Sequence, residues 1–258
     1  MKKYTCFKFI FCLFLQFNTS LLLSQTSTEL NDHFTWFDAV IGQGNTDIYN
    51  GIVYREKYKT EDNNHKFFLL NEYRLGNLVY NHQRYYNINM KYDLYEDELV
   101  VKLPNRLYNL FIKLTKENIN EFSLRDFRNN RSSKEHRFIT NSLFENNEQE
   151  SVLGFYEVID KTSRITLLKK HHKRRKEYIK DLYLYSKFSS KNYFAIVYEN
   201  KLYKIDSKKD LTRVFPNMEK EISVFYKQER RLLKSDKEAF FTILIKDIEK
   251  NITNTDTE

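Results

Sequence analysis

The sequence predicts an α+β fold that is mainly β: an antiparallel, curled sheet resembling a partial barrel, with a helical cap at its C-terminal end. Apolar and polar residues alternate through the middle of the chain, as strands with one buried face require. After residue 205 the apolar residues instead recur at steps of three and four, as on one face of a helix. The 258 residues include 19 tyrosines and 21 phenylalanines. Aromatic residues are enriched in strands and supply much of the buried area of a β core.

Residues 85–103 show the clearest alternation and predict two strands joined by an acidic turn. Apolar side chains occupy every second position from Tyr86 to Leu94, and polar side chains, Asp93 among them, lie between. The acidic residues 96–98 interrupt this pattern, which then resumes. One wet face and a short connection are typical of an antiparallel pair. We therefore expect Asp93 on the solvent face.

Further strands are predicted on both sides of this hairpin. Asn81-His82 and Glu199-Asn200 are each predicted to form a tight turn between two strands. Residues 164–168 are predicted to form a strand that runs directly into a cluster of basic residues. Residues 181–185 are predicted to form another strand after that cluster.

Helices are predicted from residue 206 onward. Ser207 caps the first predicted helix, with Asp210 three residues later, and Pro216 ends it because proline cannot continue a helix. Asn217 is the predicted cap of the second helix, whose apolar residues again line one stripe. The change of period from two to between three and four therefore separates a β part of the chain from a helical part.

A last helix is predicted to begin at the capping-box pattern Ser235-x-x-Glu238. Helices of this length are marginal in water by themselves, so we expect this one to dock on the β domain or on the preceding helix. Its predicted buried stripe consists of Ala239, Phe240, Ile243, Leu244 and Ile248.

The chain is expected to divide into four parts. Residues 1–24 are predicted to be a secretory signal peptide, because two lysines precede an apolar run that polar residues end too early for a membrane span. Residues 25–205 form the β domain, residues 206–250 the helices packed on it, and residues 251–258 a polar tail. The protein is then exported to the periplasm or the periphery of the outer membrane, with secretion as the alternative. Retention of the first part as an anchor is a second alternative.

Cysteine and charge limit the chemistry of the mature chain. Cys6 and Cys12 both lie in the predicted signal, so disulfides, thiolate metal sites and thiol catalysis are excluded after its removal. Removal also takes away three lysines and no acidic residue from a chain with 43 basic and 35 acidic residues. The remaining excess of about +5 is compatible with anionic surfaces but does not require nucleic acid. We expect no nucleic-acid partner and no transmembrane span after signal removal.

Catalytic motifs are absent from the sequence: it contains no G-x-S-x-G, no H-E-x-x-H and no P-loop. We therefore expect a protein that is not an enzyme, with no catalytic residues and no cofactor. Asp93 and the acidic residues 96–98 have the oxygen ligands that calcium takes. Their spacing lacks the glycine and the final glutamate of an EF-hand, so an acidic turn is favoured and no metal site is predicted.

The densest charge feature is the basic run of residues 169–176. Its functional interpretation is a surface for lipopolysaccharide, an acidic glycan or membrane phosphate, since arginine binds phosphate in a bidentate way. The competing interpretation is a solvated strand end or loop. Adjacent histidines among cations make a poor metal site. The candidate binding residues are Lys169, Lys170, His171, His172, Lys173, Arg174, Arg175 and Lys176.

Seven short segments spread over most of the chain show a resemblance to a known family: Asn64–Phe68, Gly76–Tyr80, Tyr86–Asp93, Leu153–Glu157, Leu202–Lys204, Ser207–Leu211 and Phe215-Pro216. They resemble a family of exported, β-rich proteins of Bacteroidota-type bacteria that has no assigned function. The resemblance implies export and a single structural domain. It implies no catalytic residues, and the basic run is not part of it.

These observations favour an exported cell-envelope protein with a non-enzymatic binding or structural role. Its expected partner is an anionic envelope glycan, a lipid surface or an envelope protein. A periplasmic carrier of a lipid or another apolar ligand is the first alternative, and a cavity under the C-terminal helices would favour it. A glycan hydrolase of an unrecognised class is the second, and two convergent carboxylates in a wet cleft would favour that.

Overall fold

The computed structural model describes residues 46–61, 63–103, 110–127, 134–146 and 153–255. The predicted signal peptide, residues 1–24, lies outside the described residues, and so does the end of the predicted polar tail, residues 256–258. All the strands and helices named below lie in one compact unit that begins at Asp47.

Strands make up most of this unit. They are β1 Ile52–Val53, β2 Arg74–Tyr80, β3 Gln83–Asp93, β4 Glu98–Lys102, β5 Phe111–Lys113, β6 Ile119–Asp126, β7 Lys134–Thr140, β8 Glu145–Asn146, β9 Phe155–Lys161, β10 Ile165–Lys170, β11 Lys173–Lys180, β12 Tyr183–Ser190, β13 Tyr193–Tyr198 and β14 Lys201–Lys204.

Twelve of the described strands form one sheet in the order β1-β5-β4-β3-β2-β6-β7-β9-β10-β13-β14-β8. Neighbouring strands are antiparallel, except that β14 pairs with β8 in parallel. The sheet is not closed, and β11 and β12 form a separate two-stranded sheet. The predicted mainly β fold, with one large antiparallel sheet and C-terminal helices, is confirmed.

Strand β3 contains a bulge that decides which tyrosine is buried. Asn87 has a positive φ of 54°, and the register between β2 and β3 shifts by one residue there. One extra residue exchanges the inward and outward positions on one side of the bulge. Tyr85 is therefore buried and Tyr86 only half-buried, against the prediction. The predicted burial of Ile88, Met90, Tyr92 and Leu94, beyond the bulge, is confirmed.

Asp93 is buried, so its predicted position on the solvent face was wrong. Phe67 forms an isolated antiparallel bridge with Asp93, and the segment before β2 thus covers this end of β3. The ammonium of Lys66 lies 2.8 Å from Asp93 Oδ2 and 3.2 Å from Glu56 Oε1. Burial raises the pKa of Asp93 despite this ion pair. Alternation within a strand cannot reveal a covering segment that comes from elsewhere in the sequence.

Four α-helices follow β14: α1 Lys208–Val214, α2 Glu219–Gln228, α3 Arg230–Ser235 and α4 Lys237–Thr255. The predicted start of α1 is confirmed, because the Asp210 carboxylate accepts a hydrogen bond from the backbone N–H of Ser207 at 2.8 Å. Helix α4 continues to Thr255, so residues 251–255 are helical although the sequence assigns them to a polar tail. No helix in the described part of the chain has both the length and the apolar character needed to cross a membrane.

Two predicted helix caps were wrong. Asn217 lies inside a 3₁₀ turn, Pro216–Met218, which precedes α2. Asp236 rather than Ser235 caps α4, since its Oδ1 accepts a hydrogen bond from the N–H of Ala239 at 3.0 Å. Ser235 and Asp236 are both good capping residues, and sequence alone does not show which of two neighbours the helix uses.

The buried face of α4 is rotated by about one residue from the predicted stripe. Ile243, predicted to be buried, is 45% exposed, and Ala239 is only half-buried. The buried face packs on β10 through Ile165 and Leu167, and it also contacts α2, through the rings of Phe225 and Tyr226, and α3. The apolar side chains of α4 that this packing buries are Phe240, Phe241, Leu244, Ile245 and Ile248.

Candidate anionic-surface interface

The hairpin of β11 and β12 lies outside the large sheet and contains half of the basic run. Its eight residue pairs run in register from Lys173 and Ser190 at the base to Lys180 and Tyr183 at the tip. The two residues of the connecting turn, 181 and 182, both have positive φ. This backbone is that of a type I′ turn, which suits the twist of a two-residue hairpin.

The base of the hairpin is bound to the rest of the protein by backbone hydrogen bonds. The N–H of Lys173 donates to the carbonyl of Leu94 at 3.1 Å, next to the turn between β3 and β4. The Asn64 side chain pairs with the backbone of Phe188, accepting at 2.7 Å and donating at 2.9 Å. Ser186 donates from its N–H to the carbonyl of Lys59 at 2.8 Å. This half of the hairpin is therefore fixed in position.

Aromatic packing fixes the same half. The Phe188 ring meets the rings of Tyr58 and Tyr95 edge-on, with centroids 5.7 Å and 5.4 Å away. The Arg175 guanidinium lies 4.5 Å from the Tyr58 ring centroid and 5.5 Å from that of Tyr95. Arg175 also pairs with Glu177 at 3.2 Å. A guanidinium that is stacked on two rings contributes to the stability of the fold and is not available to bind a ligand.

Lys170, from the middle of the basic run, is buried. Its Nζ lies 2.8 Å from Asp97 Oδ1 and donates to the carbonyl of Phe155 at 3.0 Å. Asp97 also pairs with Lys116 at 2.5 Å and accepts a hydrogen bond from the Tyr92 hydroxyl at 2.5 Å. Burial acts to raise the pKa of Asp97, but the two ammonium groups outweigh it and hold that pKa below its usual value. The predicted acidic turn is thus neutralised by lysines.

His171 is buried beside Lys170 and shares a carboxylate with a second histidine. His171 Nε2–H donates to Glu157 Oε2, and His136 Nδ1–H donates to Glu157 Oε1, both at 2.5 Å. The Phe68 ring meets both imidazoles edge-on. Burial favours a higher pKa for Glu157, but the two histidines outweigh it and hold the pKa at about 2. Burial lowers the pKa of His171.

Two further members of the run have partners inside the protein. Lys169 pairs with Glu238 of α4 at 2.8 Å. The Lys173 ammonium donates to the carbonyl of His65. The run is therefore not one surface patch, because several of its residues, three of them consecutive, have their partners inside the protein. Its members without an ion pair to the described residues are His172, Lys173, Arg174 and Lys176, and of these Lys173 is held by the His65 carbonyl.

A wide groove lies along the hairpin where the run ends. Lys176 and Lys187 are directly paired across the two strands, and neither forms an ion pair with the described residues. Glu61 closes the other side, where it accepts a hydrogen bond from the Tyr178 hydroxyl at 2.8 Å and pairs with Lys180. The groove has a volume of about 570 Å³. It is lined by Glu61, Asn63, Asn64, Lys176, Tyr178, Ser186 and Lys187.

A second, smaller groove of about 170 Å³ lies on β2, β3, β6 and β7 and contains two carboxylates. Glu121 pairs with Arg137 at 2.5 Å. Glu135 accepts a hydrogen bond from the Ser123 hydroxyl at 2.6 Å. Glycoside hydrolysis needs one carboxyl group that donates a proton and a second that attacks or activates water. Both carboxylates here are held by neighbouring side chains, so this groove gives little support to the hydrolase alternative.

Sequence reasoning found the basic run but not the hairpin that presents its last residues. Residues 181–185 were predicted to be one strand, whereas 181 and 182 form the turn and the strand runs from Tyr183 to Ser190. Glycine and asparagine are absent from this turn, so the usual turn signal is missing. Lys187, which faces Lys176 across the hairpin, was therefore not recognised. The available signal was the pair of short alternating segments on either side of Asp181.

Comparisons of the chain with protein-family models, with curated proteins and with solved structures gave no match. The geometry described above is therefore the basis for a functional proposal.

Proposed function

We propose that this protein is an exported, non-enzymatic component of the cell envelope that binds an anionic surface through the β11–β12 hairpin. The observation that supports this proposal is the pair Lys176 and Lys187, directly opposite each other at the edge of the wide groove. The other cations of the basic run mostly have partners within the fold, as described above. These two do not pair with the described residues, and both are exposed.

Electrostatics explains why such a pair points to a ligand. Like charges directly opposite each other on two strands destabilise the pair of strands. A bound anion removes that repulsion and gains from both ammonium groups at once. Residues 173–190 contain six basic and two acidic residues, so the whole hairpin adds to the attraction.

The export part of the proposal rests on the sequence. The N-terminal pattern supports a secretory signal, and the resemblance to exported proteins of Bacteroidota-type bacteria supports the same compartment. We place the protein in the periplasm or at the periphery of the outer membrane, where anionic lipids and glycans are abundant. For the carrier alternative, the helices would have to enclose a ligand. Phe240 and Leu244 instead pack with Ile165 and Leu167 under α4, which favours the binding role.

The test removes the paired charges. Lys176→Gln together with Lys187→Gln should weaken binding to polyphosphate and to phosphatidylglycerol vesicles, by about fivefold for each lysine on vesicles. The matched control is Lys220→Gln with Lys227→Gln, two exposed lysines of α2. Co-sedimentation for vesicles and titration for polyphosphate measure the affinities. Equal losses in the two double variants would mean that only net charge matters and would contradict the proposal.

A further inference from the structure

The tip of the hairpin is apolar and open to solvent. Ile179 and Leu184 face each other across the two strands and are 76% and 57% exposed. Leu182 and Tyr183, at the turn, are 98% and 60% exposed. Single exposed apolar residues are ordinary on protein surfaces. Four together at the end of one projecting hairpin form a patch that the described fold does not cover.

Of these four residues, Leu182 has the conformation and the exposure that a stable fold favours least. It has a φ of 65°, in the left-handed region, where a bulky side chain is rare and where glycine, asparagine or aspartate is preferred. Neither its backbone conformation nor its exposure stabilises the hairpin. Residues held in sparsely populated backbone regions cluster at active sites, ligand clamps and switch regions. An apolar environment outside the protein would compensate for the exposure of Leu182.

The side chains behind the tip change character in layers. Next to the Ile179–Leu184 pair is Tyr178, whose ring stacks on Tyr185 across the strands at 5.8 Å. Two pairs further back are Lys176 and Lys187, about 10 Å from Ile179 at about 3.3 Å per residue. Lys180 beside the turn is paired with Glu61, and Glu177 lies between the tyrosine and lysine pairs. Apart from these two residues, apolar groups, then tyrosines, then cations follow the same order along the strands as acyl chains, interface and phosphates in a bilayer.

We propose that the hairpin tip inserts into the surface of an anionic phospholipid bilayer, with Leu182 as the leading apolar contact. This inference rests on the proposed function, because Lys176 and Lys187 supply the attraction to the lipid phosphates. A bilayer fits better than a protein groove because the apolar residues lie at the exposed end of a hairpin, and the cations lie behind them on both strands. The apolar tip is therefore the part of the hairpin that makes the protein bind a lipid surface more tightly than a soluble anion.

Charges close to the tip limit the depth of insertion to the boundary between the headgroups and the acyl chains. Asp181 stands directly before Leu182, and a carboxylate is costly in the hydrocarbon layer. Glu61 near the tip is paired with Lys180. The Lys59 ammonium lies 3.9 Å from the centroid of the Tyr183 ring, where its charge can reach the phosphates. Insertion by about 5–10 Å, as for other interfacial elements, keeps these groups in the polar layer.

The experiment compares two probes and three variants of the full chain. The probes are vesicles of phosphatidylglycerol mixed with phosphatidylcholine, and polyphosphate in solution. Leu182→Asn removes the apolar contact and suits the left-handed backbone, so it is expected to fold. Leu143→Asn is the control, since Leu143 is also exposed but lies in the 3₁₀ turn after β7. The Lys176→Gln and Lys187→Gln double variant tests the proposed function in parallel.

We expect Leu182→Asn to bind vesicles at least tenfold more weakly and polyphosphate as tightly as the unchanged protein. Leu143→Asn should bind both probes normally, and the lysine variant should lose affinity for both. Unchanged vesicle binding by Leu182→Asn would overturn insertion while leaving the proposed function in place. Unchanged binding by the lysine variant to both probes would overturn the proposed function. If the unchanged protein binds polyphosphate but not the vesicles, the lipid inference alone is wrong.

Depth is measured separately, so that the inference does not depend on one variant. The chain contains one tryptophan, Trp36, and Leu182→Trp adds a second at the tip. Lipids brominated on the acyl chains quench only tryptophans that reach them. The variant should show more quenching on anionic vesicles than the unchanged protein does. Equal quenching of both proteins would contradict insertion.

Discussion

The base and the tip of the β11–β12 hairpin belong to the same two strands, but their side chains lie in opposite surroundings. At the base, Arg175 stacks on tyrosines and Phe188 packs edge-on against the same rings. At the tip, Leu182 and Ile179 face solvent. Just before the base, Lys170 and His171 are buried on carboxylates. The basic run and the hairpin thus combine a part that serves the fold with a part that the fold does not use.

This contrast shows that a dense run of charged residues need not act as one functional unit. Buried cations such as Lys170 are held by carboxylates, so they cannot attract a ligand without leaving an unpaired charge inside the protein. Only residues that lack such partners are available for binding. Substitutions at the base should therefore change stability, and substitutions at the tip should change binding.

The largest effect is expected for Glu157→Ala. The change leaves the N–H groups of His136 and His171 buried without their acceptor, and it removes the anchor next to the hairpin base. We expect the free energy of unfolding to fall by about 3–5 kcal/mol in urea titrations. Glu177→Ala, an exposed carboxylate on the hairpin itself, is the control and should change stability by less than about 0.5 kcal/mol. If both variants lost a similar free energy of unfolding, the buried carboxylate at the base would contribute no more to the fold than the exposed one.

Lowering the pH should destabilise the protein near the base of the hairpin, through the same cluster of His136, Glu157 and His171. The pKa of His171 is lowered from its ordinary 6.5, so below pH 6.5 the unfolded chain binds a proton that the folded chain does not. Glu157 adds to this below its ordinary 4.5, because its folded pKa is about 2. The contribution of these two groups to the free energy of unfolding is therefore fully present above pH 6.5 and decreases as the pH falls below that value.

His171→Gln isolates the contribution of this histidine, since an amide N–H can still donate to Glu157. His65 and His172 also have lowered pKa values, but they are present in both proteins. The urea midpoint should fall less for the variant than for the unchanged protein between about pH 7 and pH 5. Parallel falls would show that His171 does not titrate as its burial indicates.

A smaller effect separates two neighbouring arginines. Arg175→Ala removes the guanidinium from the Tyr58 and Tyr95 rings and should cost about 1–2 kcal/mol of unfolding free energy. Arg174→Ala removes the same charge from an exposed position and should cost less than about 0.5 kcal/mol. Thermal melts of both variants test this. Equal shifts in melting temperature would mean that charge rather than stacking determines stability there.

Strand alternation predicted much of the large sheet because one face of each strand is buried over many residues. It gave the correct buried apolar positions between Ile88 and Leu94. It failed at Tyr85, since one bulge at Asn87 reverses the pattern and leaves no mark in the composition. It also failed at Asp93, whose cover comes from Lys66 and its neighbours in another part of the chain.

In the helical part of the chain, too, residue spacing predicted the element but not all of its buried residues. Spacing predicted that a helix with one buried face follows Ser235, and α4 has such a face. Both Ile243 and Ile245 fit an apolar stripe by spacing, but only Ile245 is buried. Which edge of the stripe is covered depends on how α4 lies across β10, and that is a property of the tertiary structure.

The sequence predicted the residue types of the candidate site but not which of those residues lie at the surface. Eight consecutive residues were proposed as one surface, and the structure separates buried Lys170 and His171 from exposed Arg174 and Lys176. Burial of a lysine requires a carboxylate partner, here Asp97, that lies 73 residues away in sequence. Sequence spacing within the run contains no information about that partner.

If the hairpin tip serves binding, it does not stabilise the fold, and urea unfolding of Leu182→Asn without lipid measures whether it does. Asparagine tolerates the left-handed backbone that leucine adopts there at a cost of about 1 kcal/mol. We expect a free energy of unfolding that is unchanged or higher by up to about 1 kcal/mol. A loss of more than about 1 kcal/mol would show that Leu182 supports the fold and that the tip is not reserved for binding.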